Sequence, residues 1–166
     1  MDQHLSIRHV PADRLDDLAP LWQALHRHHV AVAGHLERFS PSLSPEASWR
    51  NRRAKYAAWL ASPDAFVLAV DVSGELVGYA MARVREQSPG SWQRGAKTGV
   101  LESLSVRADQ RGGGLGTRLF DAVRAEFAQR GAQELQLDVI ATNADALRFY
   151  TRQGLVPYVT TLLGRC

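Results

Sequence analysis

The chain has one cysteine, Cys166. A lone cysteine excludes an internal disulfide framework and fits a reducing compartment. No apolar run comes near the length of a membrane span, and the first residues lack the layout of a signal peptide. A cytoplasmic protein with no membrane partner is therefore expected. Lysine and arginine form no block with interleaved aromatics, so the formal charge of +3 is weak ground for nucleic acid, and none is expected as a partner. There is no internal repeat and no low-complexity segment. Histidines cluster at His26, His28 and His29, with His35 nearby, yet only His26 and His29 share a helix face. No carboxylate completes a ligand set there, and no metal is expected. What remains is ordinary for a globular protein: 166 residues, 45% apolar and 22% charged. This is one domain over residues 1–166, long enough for a sizeable core.

One stretch organises the rest. Val100-Leu-Glu-Ser-Leu-Ser-Val106 suits a buried strand, and Leu115, Leu119, Val123 and Phe127 recur at helical spacing after it. Between them lies Arg111-Gly112-Gly113-Gly114-Leu115-Gly116, continued by Thr117. Glycine lets consecutive backbone N–H groups turn toward one point. A helix start adds unsatisfied N–H groups and partial positive charge at the same point. Strand, glycine loop and helix start together make a phosphate or pyrophosphate site; the competing reading is a tight turn and nothing more. The order of Leu101, Leu104 and Val106 adds a second signal. Leu104 and Val106 share a strand face, but Leu101 and Leu104 cannot in a regular strand. The break in period predicts a β-bulge, which leaves backbone groups unpaired near active sites.

Two common phosphate loops fail here. A nucleoside-triphosphate loop needs Gly-Lys-Ser/Thr, and no such lysine is present. The dinucleotide fingerprint needs a third glycine where Thr117 or Leu119 stands. Gln/Arg-x-x-Gly-x-Gly/Ala does fit, as Arg111-Gly112-Gly113-Gly114-Leu115-Gly116. With the preceding Leu101-x-x-Leu104-x-Val106, the stretch resembles the coenzyme A site of the GCN5-related N-acetyltransferases. A second segment, Asn143-Ala-Asp-Ala-Leu-Arg-Phe-Tyr150-x-x-x-Gly154-Leu155, is similar to that family's Asn-x-x-Ala-x-x-Phe-Tyr-x-x-x-Gly-Phe, with Leu155 in place of the usual aromatic.

The remaining elements follow in order. Leu5 to Val10 reads as a strand ended by Pro11, and Leu15, Leu18, Trp22, Leu25 and His29 predict a helix from Asp13 to near Gly34. Ser44 is a good cap and Pro45 a good first-turn residue for a second helix to about Leu60, with Arg50, Arg52, Arg53 and Lys55 on its polar side. Ala65–Val70 and Glu75–Val84 predict a hairpin, and Glu86–Lys97 a polar loop. Gly131 ends the central helix. Glu134–Ile140 predicts a strand, Asn143–Arg152 a short helix capped by Asn143, and Leu155–Leu163 one or two further strand pieces. The class is α/β. The resemblance implies a mixed, mostly antiparallel central sheet of six to seven strands, flanked by about four helices.

The resemblance also implies the chemistry. It points to an acetyl-CoA-dependent N-acetyltransferase in which a primary amine of a small molecule or peptide attacks the thioester directly. The alternative is a non-catalytic acyl-CoA-binding sensor on the same fold. Gly112, Gly113, Gly114, Leu115, Gly116 and Thr117 are then expected to hold the pyrophosphate, and Leu104, Ser105 and Val106 the pantetheine arm, with an N–H near Leu104 facing the carbonyl oxygen. Arg111 and Arg118 either add charge or face solvent. Asn143 caps its helix, contacts the pantetheine, or does both. An amine with a pKa of roughly 10.4 needs a base, and a departing thiolate of pKa about 8.5 needs a proton. Glu102 occupies a position where family members carry a candidate base, and Tyr150 matches the family's tyrosine acid; each also has a plain packing or surface reading. Members often pair as homodimers, so a homodimer is part of what the resemblance implies.

Overall fold

The computed structural model describes residues 5–166. Five strands form one sheet in the order of the chain: β1 (Leu5–His9), β2 (Ala65–Val72), β3 (Glu75–Glu86), β4 (Lys97–Val106) and β5 (Glu134–Leu137). The first four pair antiparallel, and β5 lies parallel to β4. Four helices cover the two faces: α1 (Ala19–Val32) and α2 (Pro45–Leu60) on one, α3 (Leu115–Gln129) and α4 (Ala144–Arg152) on the other.

Alternation along the buried strands divides the core. Phe66, Leu68 and Val70 of β2 face α3 and pack with Leu119, Phe120, Val123 and Phe127. Val67 and Ala69 face the other way and join Leu15, Leu18, Trp22, Trp49 and Tyr56. The predicted period-2 and helical patterns thus meet in two apolar layers, one on each face of the sheet.

The expected caps are present. The Ser44 side chain accepts from the Ala47 N–H at 3.1 Å, and Pro45 opens α2. Ser44→Ala is expected to cost about 1 kcal/mol of stability, read as a shift in the urea midpoint at unchanged slope. The N-terminal helix differs from expectation. Ala12–Leu18 is a 3-10 turn, and the α-helix begins only at Ala19, with Pro20 in its first turn. Proline there has no N–H to donate, so α geometry restarts where that donor is not needed.

Two strand expectations are corrected. β5 stops at Leu137 and does not reach Ile140. No strand forms over Leu155–Leu163, so the sheet has five strands, not six or seven. The regular edge offered by β5 spans four residues, and Pro157 removes one amide from any ladder along it. The segment is tied down by other contacts. Arg94 stacks on the Tyr158 ring at 5.1 Å, and Arg165 donates to the Arg38 carbonyl at 2.5 Å. Val156, Val159 and Leu162 remain exposed.

Candidate active site

The site begins with the bulge. Met81 pairs with Ser103 and Ala82 with Leu101, so Glu102 is the extra residue on β4. The bulge lets Leu101 and Leu104 both face α3, which a regular strand forbids. The pairing of β4 with β5 ends at Leu101 and Leu137, beside the bulge. Beyond that point the two strands part. The Arg107 N–H donates to the Val77 carbonyl of β3, so by alternation the N–H and C=O groups of Leu104 and Val106 face the opening.

A buried hydroxyl chain holds the bulge. Tyr56 Oη donates to Ser103 Oγ at 2.6 Å, Ser103 Oγ donates to the Glu102 carbonyl at 2.8 Å, and Tyr79 Oη lies 3.1 Å from Tyr56 Oη. Burial pushes both phenols above the usual tyrosine range, so the chain stays protonated and neutral. The Glu102 carboxylate accepts from Arg83 Nε at 2.6 Å, and Arg83 itself lies over the Trp59 ring at 4.6 Å.

The opening is a cavity of about 510 Å³ that runs between the parted strands. That volume suits a small-molecule or cofactor-arm site. Of the residues expected to bind or react, Glu102, Leu104, Ser105, Val106, Arg111, Gly112, Gly114, Gly116, Thr117, Asn143 and Tyr150 all line it. Gly113 and Leu115 do not, although Gly113 lies within the same loop and Leu115 opens α3 with its side chain in the core. Ser105 turns its hydroxyl away, donating to the Leu21 carbonyl at 3.2 Å.

The glycine loop leads directly into α3. Gly112 and Gly114 have φ of +83° and +81°, in the left-handed region that favours glycine. Gly114 caps α3, and the first bond of the helix is donated by the Arg118 N–H to its carbonyl. Among the described residues, no hydrogen bond uses the amides of residues 112 to 117 as donors. Six consecutive N–H groups are free at one helix start. Arg111 lines the opening, and its Nε donates to the Val106 carbonyl at 2.9 Å. It therefore closes the end of β4 in this state.

Across the opening, Asn143 is buried and accepts from the Ala146 N–H at 3.2 Å, the expected cap of α4. Tyr150 packs against Phe149 and Phe120, at 5.0 and 5.8 Å between ring centres. Burial raises its phenol to about 12. His26 is structural: its Nε2 meets the Leu43 carbonyl at 2.8 Å, and its Nδ1 meets Ser48 Oγ at 3.2 Å, joining α1 to α2. His28 and His29 line the cavity from α1. Burial first, then the nearby positive groups, lowers His29 to about 4, so it is neutral near pH 7.

Sequence patterns alone did not point to Tyr56, Ser103, Arg83 or Asp138 as parts of this site. Arg83 and Glu102 sit opposite each other only because of the register of the β3–β4 ladder, and a buried tyrosine hydroxyl has no local signature.

A model described as the acetyltransferase (GNAT) family matches residues 29–155. A mycothiol acetyltransferase of Amycolatopsis mediterranei is 35% identical over 103 residues, 62% of this chain and 33% of that protein. An L-methionine sulfoximine/L-methionine sulfone acetyltransferase of Pseudomonas paraeruginosa is 30% identical over 122 residues, 69% of this chain and 67% of that protein. The chain spans about a third of the length of the mycothiol acetyltransferases it matches. Among solved structures, the aminoglycoside N-acetyltransferase AAC(6')-Iy in complex with CoA superposes with a TM-score of 0.71 at 16% identity, over 100% of this chain and 97% of that one. That last likeness is one of fold.

Proposed function

The chain belongs to the acetyltransferase (GNAT) family, and on that premise we propose that it transfers the acetyl group of acetyl-CoA to a primary amine of a small molecule. One observation carries the proposal: six unused amides at the start of α3 stand at the mouth of a cavity that passes between parted strands to Tyr150. Free N–H groups at a helix start favour a diphosphate. The unpaired edge of β4 offers the pantetheine arm a strand to pair with, once Arg111 leaves the Val106 carbonyl. Acetyltransferases are named among both the relatives and the structural neighbours, and one of those neighbours is held with CoA.

The reaction then needs little from the side chains. The amine nitrogen attacks the thioester carbon, the carbon–sulfur bond breaks, and the nitrogen sheds one proton while the sulfur gains one. The Leu104 N–H, facing the opening, stabilises the carbonyl oxygen as it gains charge. Tyr150 faces the sulfur and donates a hydrogen bond to it while the carbon–sulfur bond breaks, and the proton shed by the nitrogen completes the exchange. Glu102 takes the amine's proton, directly or through water, and its ion pair with Arg83 fixes where the carboxylate stands.

The test is an amine screen with acetyl-CoA, read as release of free thiol. Acetylation of at least one class of primary amine is the expected result. Tight coenzyme A binding with no acceptor-dependent thiol release from a broad panel would instead identify a sensor.

A further inference from the structure

Three hydroxyls interrupt an otherwise apolar layer. Tyr79 of β3, Tyr56 of α2 and Ser103 of β4 are all buried, and both phenols pack with Leu15, Leu18, Trp22 and Trp49. A buried hydroxyl is costly unless it is bonded. Here the bonds run in one direction. Tyr56 has a single proton and gives it to Ser103 Oγ at 2.6 Å, so across the 3.1 Å contact with Tyr79 it accepts. Ser103 gives its own proton to the Glu102 carbonyl at 2.8 Å. Every hydroxyl thus points its dipole toward one oxygen, and bonds aligned in this way strengthen one another in a low-dielectric interior.

That oxygen stands at a sensitive place. The Arg107 N–H is directed at β3, so by alternation the Ser103 N–H is directed there too, while the Leu104 N–H faces the opening. A planar trans peptide sets the Glu102 carbonyl opposite the Ser103 N–H, away from β3 and on the side of the opening. Glu102, Ser103 and Leu104 all line the cavity. The bulge therefore brings an acceptor, the Glu102 carbonyl, close to a donor, the Leu104 N–H. A thioester oxygen gaining negative charge is stabilised by the donor and repelled by an unoccupied carbonyl lone pair. The hydroxyl chain ends on the repelling group.

We propose that the chain Tyr79–Tyr56–Ser103 is a positioning device for acyl transfer: it holds and occupies the Glu102 carbonyl, so that the Leu104 N–H is what the acyl oxygen meets. The inference rests on the transferase reading above. It assigns a part in the reaction to Tyr56 on α2 and Tyr79 on β3, neither of which lines the cavity. With the Ser103 hydroxyl absent, the carbonyl is free to turn, and the peptide that carries the Leu104 N–H turns with it.

The test uses the full chain and acetyl-CoA isotopically labelled at the acetyl carbonyl. With no acceptor present, the infrared stretch of that carbonyl reads the field at its oxygen, and binding to the unaltered chain is expected to lower its frequency. Ser103→Ala is expected to return the stretch toward the free value and to lower kcat roughly ten- to a hundredfold, with coenzyme A affinity unchanged. Tyr56→Phe keeps the ring among Trp22, Trp49 and Trp59 and removes the proton given to Ser103. It should move both readouts the same way by a smaller amount, and it carries the test where Ser103→Ala does not fold. A fall in kcat with the stretch unmoved, a parallel loss of coenzyme A affinity, or no change in either readout overturns the inference and leaves the transferase reading standing. Absence of thiol release with any amine, while the variants still shift the stretch, removes the transferase reading and leaves the chain in control of the carbonyl's surroundings.

Discussion

Gly114→Val is expected to weaken coenzyme A binding by roughly a hundredfold, measured by titration calorimetry. The cause is conformational. A Cβ built on Gly114 meets nothing within 4 Å, so added bulk alone does no harm in the free protein. Its φ of +81°, however, is one that β-branched residues rarely adopt, at a cost of about 1 to 3 kcal/mol. The loop relieves that strain by turning the peptide units on either side, and those units carry the amides proposed to hold the diphosphate. About 1.4 kcal/mol corresponds to a factor of ten, so the strain alone reaches one to two decades. Gly113→Ala is the matched control. Gly113 lies in the same loop, has open space at its Cβ, and is absent from the positive-φ residues, so the same titration should hardly change. If Gly114→Val and Gly113→Ala bind coenzyme A alike, the amides of this loop are not what grips the cofactor.

The legible parts of the molecule were those written in short-range chemistry. Arg111 to Thr117 declares a glycine loop before a helix, and the structure places two left-handed glycines and six free amides there. The three-residue step from Leu101 to Leu104 cannot occur on one face of a regular strand. It foretold a bulge, found at Glu102. Ser44 and Asn143 cap their helices through the hydroxyl and amide oxygens that made them candidates. What could not be read depends on partners far away in the chain. The parting of β4 and β5 follows from where a parallel pairing ends, and nothing in Glu134–Ile140 marks Leu137 as its last rung. The tail over Leu155–Leu163 has strand-forming residues, yet strand formation also needs an edge to pair with, and the ladder there is short. Arg111 was open between a cofactor role and a surface role. Its bond to the Val106 carbonyl is a third arrangement, which needs the end of β4 and the loop brought together in space.

Tyr150→Phe is expected to lower turnover ten- to a thousandfold while leaving coenzyme A affinity unchanged. The ring is set by Phe149 and Phe120, and phenylalanine keeps those contacts, so the variant removes one oxygen and little else. Burial holds the phenol near 12, which keeps it protonated throughout the range in which an amine can be acetylated. The same value limits what the hydroxyl does. A phenol near 12 is a weaker acid than a thiol of pKa about 8.5, so outright proton loss to the sulfur is uphill by several kcal/mol. Its contribution is greatest as a hydrogen-bond donor to the sulfur while the carbon–sulfur bond breaks, with the proton shed by the nitrogen completing the exchange. Two readouts follow. The pH–rate profile should show no alkaline fall belonging to Tyr150 below about pH 11, since the group stays protonated there. Acyl donors with more acidic thiols should suffer less from Tyr150→Phe than acetyl-CoA does, because a better leaving group needs less help. An equal loss with every donor would place Tyr150 in cavity packing rather than at the sulfur.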